Sequence, residues 1–397
     1  MPVSRDRRLL VVVQRYGDVA GGAEQHAREL VRRLVPHFDV TVATTAARDY
    51  WTWENEFVPG ETRVDGVPVM RFAVTRPRTA DFKDRERRAF EKTASLADER
   101  AFIESQGPVT PELLEYLGDS ASTYAQILFF TYIYYPTVYG LPLAPERAVL
   151  VPTAHDEPAF RLASYKPIFH AARAIAFNTE EERRLVHGRF GNQRVPSDIV
   201  GVGVDVPADR SGERFRAKHG IVGPLFLYVG RVVESKGCDQ LFSHWGGWAD
   251  ARRELGAKLV VIGKAEMRLP KRDDVMHLGF VSETEKYDAL AAADAVMVPE
   301  RYSSLSMVTL EAWACGKPVV CSAYCNVLRG MSRRSSGGLY YASHGEFREL
   351  LDLLVADPSL GKRLGAAGGA FVARTYTWPL VVDKYLDLFA EVRRRLH

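Results

Sequence analysis

Leu9-Leu-Val-Val-Val13, a turn bearing Gly17, Gly21 and Gly22, then Glu24 to Val35, then Phe38 to Ala43: this passage decides the fold. Five consecutive apolar residues, three of them Val, read as a short strand buried on both faces, the kind found in parallel sheets. Between Glu24 and Val35 the apolar residues Ala27, Leu30, Val31 and Leu34 recur at helix spacing. Phe38 to Ala43 is the next strand. Strand, helix, strand is the unit of a doubly wound α/β sheet.

The same grammar returns further along the chain. Ala148 to Pro152 and Ile175 to Phe177 read as strands, and Glu180 to His187 as a helix with Thr179 as its N-cap. Residues 76 to 100 are dense in charge and read as a solvated helical segment. Residues 197 to 222 lack sustained periodicity and hold several Gly and Pro, the mark of a linker. A second α/β register follows: Phe226 to Val229, Lys258 to Ile262, Val275 to Leu278, Ala295 to Val298 and Pro318 to Cys321 read as strands, with a helix over Thr309 to Cys315. The expected architecture is α/β, with one domain over 1–202, a linker over 203–222 and a second domain over 223–376. A ligand cleft is expected between the domains. The segment from 377 to the end reads as a helix, with Arg393–Arg395 as its charged tail.

Composition narrows the function. Of 397 residues, 53 are Lys or Arg and 50 are Asp or Glu, a net charge of +3. That balance argues against a protein built to hold nucleic acid or coat a membrane. The 46% hydrophobic and 26% charged contents are those of a globular chain. Four cysteines, Cys238, Cys315, Cys321 and Cys325, lack metal-ligand spacing and fit a reducing compartment. Met1 to Gln14 has too short an apolar run for a secretory signal. The longest apolar and aromatic stretch, Ile127 to Tyr135, ends at Pro136, well short of the roughly 20 residues a membrane helix needs. A cytoplasmic protein is the expectation.

Two stretches carry chemistry. In Tyr228-Val-Gly-Arg-Val-Val-Glu-Ser-Lys-Gly237 a strand ends at Gly230, and Arg231 and Lys236 follow at the carboxyl edge of the sheet. A guanidinium fork and an ammonium together suit a diphosphate, although two surface cations after a strand would look the same. In Pro299-Glu-Arg-Tyr-Ser-Ser-Leu-Ser-Met-Val-Thr-Leu-Glu311 a strand gives way to a Ser-rich turn and a helix starts near Ser306. The backbone N–H groups around Ser304, Leu305, Ser306 and Met307 then face an anion. Glu311 lies one to two turns in, able to accept from the vicinal hydroxyls of a ribose, or else is a helix-surface charge.

Taken together these stretches resemble the signature of the retaining family-four glycosyltransferases with the GT-B fold. Gly230, Arg231, Lys236 and Gly237 match its first loop; Glu311, Ala312, Gly316, Lys317, Pro318 and Val319 match its second. The resemblance extends to Gly21-Gly-Ala-Glu24, Thr153-Ala-His-Asp-Glu-Pro158, Asn178-Thr-Glu-Glu181 and Leu278-Gly-Phe-Val281, and is weakest over 50–125.

The resemblance implies a hexosyltransferase-like enzyme using a nucleotide-diphosphate sugar (UDP or GDP) as co-substrate, with no metal or other cofactor required. Arg231 and Lys236 would bind and stabilise the leaving diphosphate, Glu311 the ribose, and Gly279, Phe280 and Val281 the base. His155 would sit near the transferred sugar. Gly21, Gly22 and Glu24 would let the first loop approach donor phosphates or acceptor. The first domain would hold the acceptor; its aromatic run Phe129, Phe130, Tyr132, Tyr134, Tyr135 and Tyr139 could stack on a sugar or ring, but most of it reads more readily as core. That acceptor would be a small natural-product intermediate, otherwise a glycan or lipid-linked glycan. The carboxy-terminal helix, 377–397, would cross back to the first domain.

One departure stands out. The first Glu of the family's Glu-x7-Glu pattern falls at Ser303, which cannot supply its charge. Either the donor sugar differs, another residue such as Glu300 or His155 makes the contact, or the chain is a catalytically altered binding protein. Glu300, at the strand end, is expected to point elsewhere. A dehydrogenase is disfavoured because no strand is followed by Gly-x-Gly-x-x-Gly. An epimerase would act on a nucleotide sugar without any acceptor.

Overall fold

A computed structural model describes residues 7–19 and 21–394. The expected domain and helix ends at residues 1 and 397, residues 1–6 of the amino end and Arg395 lie outside them. The chain divides into two compact units. One runs to Val202 and includes the chain from Val381 onward; the other is Gly203–Leu380.

In the first unit, among the described residues, eight strands form one sheet in the order β3-β4-β2-β1-β5-β6-β7-β8. They are β1 (Arg8–Val12), β2 (Asp39–Thr45), β3 (Gly60–Val64), β4 (Val67–Phe72), β5 (Gln126–Phe130), β6 (Ala148–Val151), β7 (Ala174–Phe177) and β8 (Ser197–Ile199). All neighbours are parallel except β3 and β4, an antiparallel edge hairpin. Leu9 to Val12 are fully buried, as their unbroken apolar run requires. The Ile127–Tyr135 stretch proves to be most of β5, the loop after it and the first residue of the helix Tyr135–Gly140, with Phe129, Phe130 and Tyr132 in the core. The charged 76–100 segment is helical and mostly exposed, as read, with Phe82 and Ala89 as its buried apolar anchors. It holds the helix Phe82–Ala89 and the start of Leu96–Gln106, and Phe82, Ala89, Phe102 and Ile103 pack into the first core. The helix Trp378–Arg394 is tied here by Lys384 Nζ donating to Ile199 O at 2.7 Å and by Phe389 set edge-on to Phe38.

The second unit holds six parallel strands in the order β11-β10-β9-β12-β13-β14. These are β9 (Leu225–Val229), β10 (Lys258–Ile262), β11 (Val275–Gly279), β12 (Ala295–Val298), β13 (Val319–Ser322) and β14 (Gly338–Tyr341). The expected linker 203–222 is not structureless. It contains the helix Gly212–His219, capped by Ser211 and stopped by left-handed Gly220. Phe215 enters the second core, and Arg214 grips Asp288 at 2.6 and 2.8 Å. One buried apolar residue in eight leaves no periodicity to read.

Candidate active site

β9 and β12 are neighbours, so the loops leaving their carboxyl ends emerge side by side. The β9 loop is held by its own backbone: Gly230 N–H donates to Ile262 O, Val232 N–H to Lys264 O, and the Tyr228 hydroxyl to Arg231 O at 2.7 Å. Gly237 closes the turn at φ 75°, with Pro299 O 2.5 Å from where a Cβ would stand. Only glycine permits both that dihedral and that approach. The approach is what sets Lys236 against Glu300.

Lys236 Nζ forms an ion pair with Glu300 Oε2. Glu300 therefore points into this edge rather than away from it, contrary to the sequence expectation. Arg231 Nη1 is 3.5 Å from Glu266 Oε2, on the loop after β10. The side chains of Lys236 and Arg231 remain 38% and 37% exposed, so a ligand can reach both. Gly230, Lys236, Glu300 and Ser306 line a cavity of about 80 Å³.

Across that cavity the helix Met307–Ala314 begins. Ser306 is its N-cap, its Oγ accepting from Thr309 N–H. Ser303 and Ser306 are buried, and Leu305 packs on the second core. Ser304 sits between them, half-buried. The remaining N–H groups of the first turn present positive charge to the cavity side.

Glu311 is no helix-surface charge, being 6% exposed. Its Oε1 accepts from Lys286 Nζ at 3.0 Å and from the Tyr287 hydroxyl at 3.4 Å. Burial raises the Glu311 carboxyl above its ordinary range, opposed by the Lys286 charge. For Lys286, burial pulls the amine down, but Glu311 and Glu283 outweigh it and hold it above the usual lysine value. Gly279 ends β11 in the left-handed region, its carbonyl accepting from Gly263 N–H at 2.7 Å. Phe280, next in line, is 74% exposed, and Val281 packs on the core. A planar ligand could stack on Phe280 without displacing anything.

The remaining expected residues belong to the carboxyl edge of the first sheet. Gly21 caps the helix Gly22–Leu34, and any side chain there would strike the Glu24 carboxylate. Gly22 faces open space. Glu24 is turned inward: its Oε1 accepts from Gln14 Nε2 at 2.9 Å and from Arg15 Nη2 at 2.7 Å. His155 lies after β6, Nδ1 3.5 Å from Glu157 Oε1. The backbone before it is gripped by Glu182, a residue missed in sequence. Glu182 accepts from Ala154 N–H and Asn178 N–H, each at 2.6 Å. Among the described residues, no group of three or more His, Cys, Asp or Glu could hold a metal.

Residues 211–370 match the family model described as Glycosyl transferases group 1, so the second unit is glycosyltransferase-like in sequence. The chain is 29% identical over 275 residues to the D-inositol 3-phosphate glycosyltransferase of Xylanimonas cellulosilytica, covering 63% of this chain and 64% of that one. The enzyme of the same name from Kribbella flavida is 28% identical, over 59% and 60%. The matches thus span less than two thirds of these relatives. Among solved structures, sucrose-phosphate synthase from Thermosynechococcus elongatus superposes with a TM-score of 0.71 at 17% identity, over 98% of this chain and 100% of that one. Anabaena Alr3699/HepE in complex with UDP and glucose gives 0.70 at 15%, over 96% and 99%. The fold is GT-B.

Proposed function

We propose that the protein is a retaining glycosyltransferase that moves a sugar from a nucleotide-diphosphate donor to an acceptor. The observation that carries this reading is the second sheet's carboxyl edge: Arg231 and Lys236 beside a helix N-terminus, with Glu311 buried in that helix. The cations and the N–H groups take the diphosphate, Glu311 takes the ribose, and Gly279 to Val281 line the base. In the reaction the bond from the anomeric carbon to the diphosphate oxygen breaks, and the acceptor oxygen bonds to that carbon on the same face. The departing phosphate takes the acceptor's proton, while Arg231 and Lys236 stabilise its charge without reorganising. His155 and the acceptor belong to the amino-terminal unit in this reading, and the four cysteines fit the cytoplasm. No helix among the described residues is long and apolar enough to cross a membrane. The relatives' printed names support a polar, phosphorylated acceptor over a lipid-linked one.

Glu300 answers the departure at Ser303. It is buried, and its carboxylate already lies at the cavity, on Lys236. When a diphosphate draws Lys236 away, Glu300 is released to accept from a donor-sugar hydroxyl. Glu300→Gln should then cut turnover about tenfold or more, the worth of one charged hydrogen bond. Ser303→Glu should not raise turnover, because it adds a second buried carboxylate three residues from Glu300; a gain would show that Ser303 marks a lost catalytic group.

The deciding experiment is a calorimetric titration of the folded protein with UDP and, separately, GDP. Binding of one, lost on Glu311→Ala, supports the reading and names the base. Binding of neither removes the donor site and leaves a non-catalytic protein on this fold.

A further inference from the structure

The second sheet has another pocket, at its opposite edge. It lies at the amino ends of β9, β12 and β13, whereas Arg231 and Ser306 follow the carboxyl ends of β9 and β12. Its volume is about 340 Å³, at the small end of the roughly 300–1,000 Å³ typical of small-molecule sites.

Three cations line it, Arg216, Lys317 and Lys362, against one carboxylate, Asp294. The carboxylate is already engaged: Asp294 Oδ2 accepts from Leu225 N–H at 2.8 Å and from Arg216 Nη2 at 3.0 Å. Arg216 also donates to Ala292 O and Gly223 O and so braces the rim. Lys317 and Lys362 have no hydrogen-bond or ion-pair partner among the described residues. Burial holds the Lys317 amine below the ordinary lysine value; Asp294 offsets this in part, and Arg216 and Lys362 add to it. An anion beside Lys317 would reverse that balance.

The pocket is built rather than incidental. Pro224, Pro318 and Pro358 line it, and each fixes its own φ. Gly365, in the helix Pro358–Thr375, lets that helix close directly on the Gly316 carbonyl, which sets the turn carrying Lys317. The Gly316-Lys317-Pro318 stretch is part of the motif read in sequence, yet it serves no purpose at the donor edge.

We propose that this pocket is a second ligand site for a small phosphorylated metabolite. The phosphate would sit between Lys317 and Lys362, and the carbon frame against Pro318 and Leu354. Two ammonium groups with spare donors suit a phosphate dianion. The proposal rests on no part of the glycosyl-transfer reading.

The test is calorimetric titration of the full chain with glucose 6-phosphate, inorganic phosphate and glucose, repeated in Lys317→Gln, Lys362→Gln and Arg231→Ala. Glucose 6-phosphate should bind and glucose should not. Lys317→Gln should weaken binding about tenfold, and exposed Lys362→Gln about threefold, the loss of one charge-assisted contact each. Arg231→Ala should leave it unchanged. Absence of binding in the wild type, binding that survives both lysine variants, or loss in Arg231→Ala alone would overturn the site. Inorganic phosphate binding as tightly as glucose 6-phosphate would overturn the apolar half of the assignment. Should Lys317→Gln fail to fold, Lys362→Gln still decides.

Discussion

The carboxyl edges of the two sheets carry charge in opposite styles. At the first, Arg15 and Glu24 pair with side chains 5% and 6% exposed, and Glu182 is fully buried on two backbone N–H groups. At the second, Lys236 pairs with Glu300 and Arg231 with Glu266, and both cations stay more than a third exposed. A buried pair cannot trade partners without stranding a charge at a cost of several kcal/mol, whereas a half-exposed pair can. The first edge is therefore a fixed frame, and the second is a set of cations that a ligand can recruit.

Breaking the frame should have the largest effect. Glu24→Ala removes the buried carboxylate that neutralises Arg15, leaving its charge with the Arg48 carbonyl, and should cost about 3–5 kcal/mol of stability, read by urea unfolding. A loss under about 1 kcal/mol would mean the pair is as exchangeable as a surface one. Next come the recruitable cations. Arg231→Ala or Lys236→Ala should cost about 2–4 kcal/mol in kcat/KM, by analogy with a lost oxyanion donor, with Tm nearly unmoved. Unchanged turnover would strike that residue from the mechanism. Glu311→Ala should weaken UDP or GDP binding about tenfold, roughly 1.4 kcal/mol. Lys286→Met, read in the same titration, separates loss of the ribose contact from disturbance of the ion pair.

The mildest prediction concerns pH. Burial pushes the Glu182 carboxyl up to about 8, against the N–H groups of Asn178 and Ala154, which pull it down. Between its ordinary value of 4.5 and about 8 the folded chain holds a proton the unfolded chain has released. Stability from this group is complete below pH 4.5 and is lost as pH rises through the folded value. Glu182→Gln should flatten the fall of Tm across that window. An unchanged slope would show that the N–H donors, not burial, govern Glu182.

Legibility followed burial pattern. β1, β9, β10 and β12 were readable because each is a short apolar run buried on both faces. The β3–β4 hairpin was not, since β3 is exposed at four of its five residues and has no apolar face to declare it. Helix Gly212–His219 hid for the same reason. At the site, Arg231, Lys236 and Glu311 were legible from residue type and position after a strand. Their partners were not: Glu300 lies 64 residues from Lys236 and Glu311 lies 25 from Lys286, and neither separation has a local signature.

By itself the sequence determined the alternation of strand and helix, the identity of the charged groups and the sheet edge they follow. These depend on periodicity and on the few residues either side of a turn. Which strands lie side by side was decided only in three dimensions. Placing β9 against β12 turned Glu300 onto Lys236 and made one cavity of two loops. The same strand order gathered Arg216, Lys317 and Lys362 at the far edge. Strand order is settled by packing of the whole core, which no local window contains.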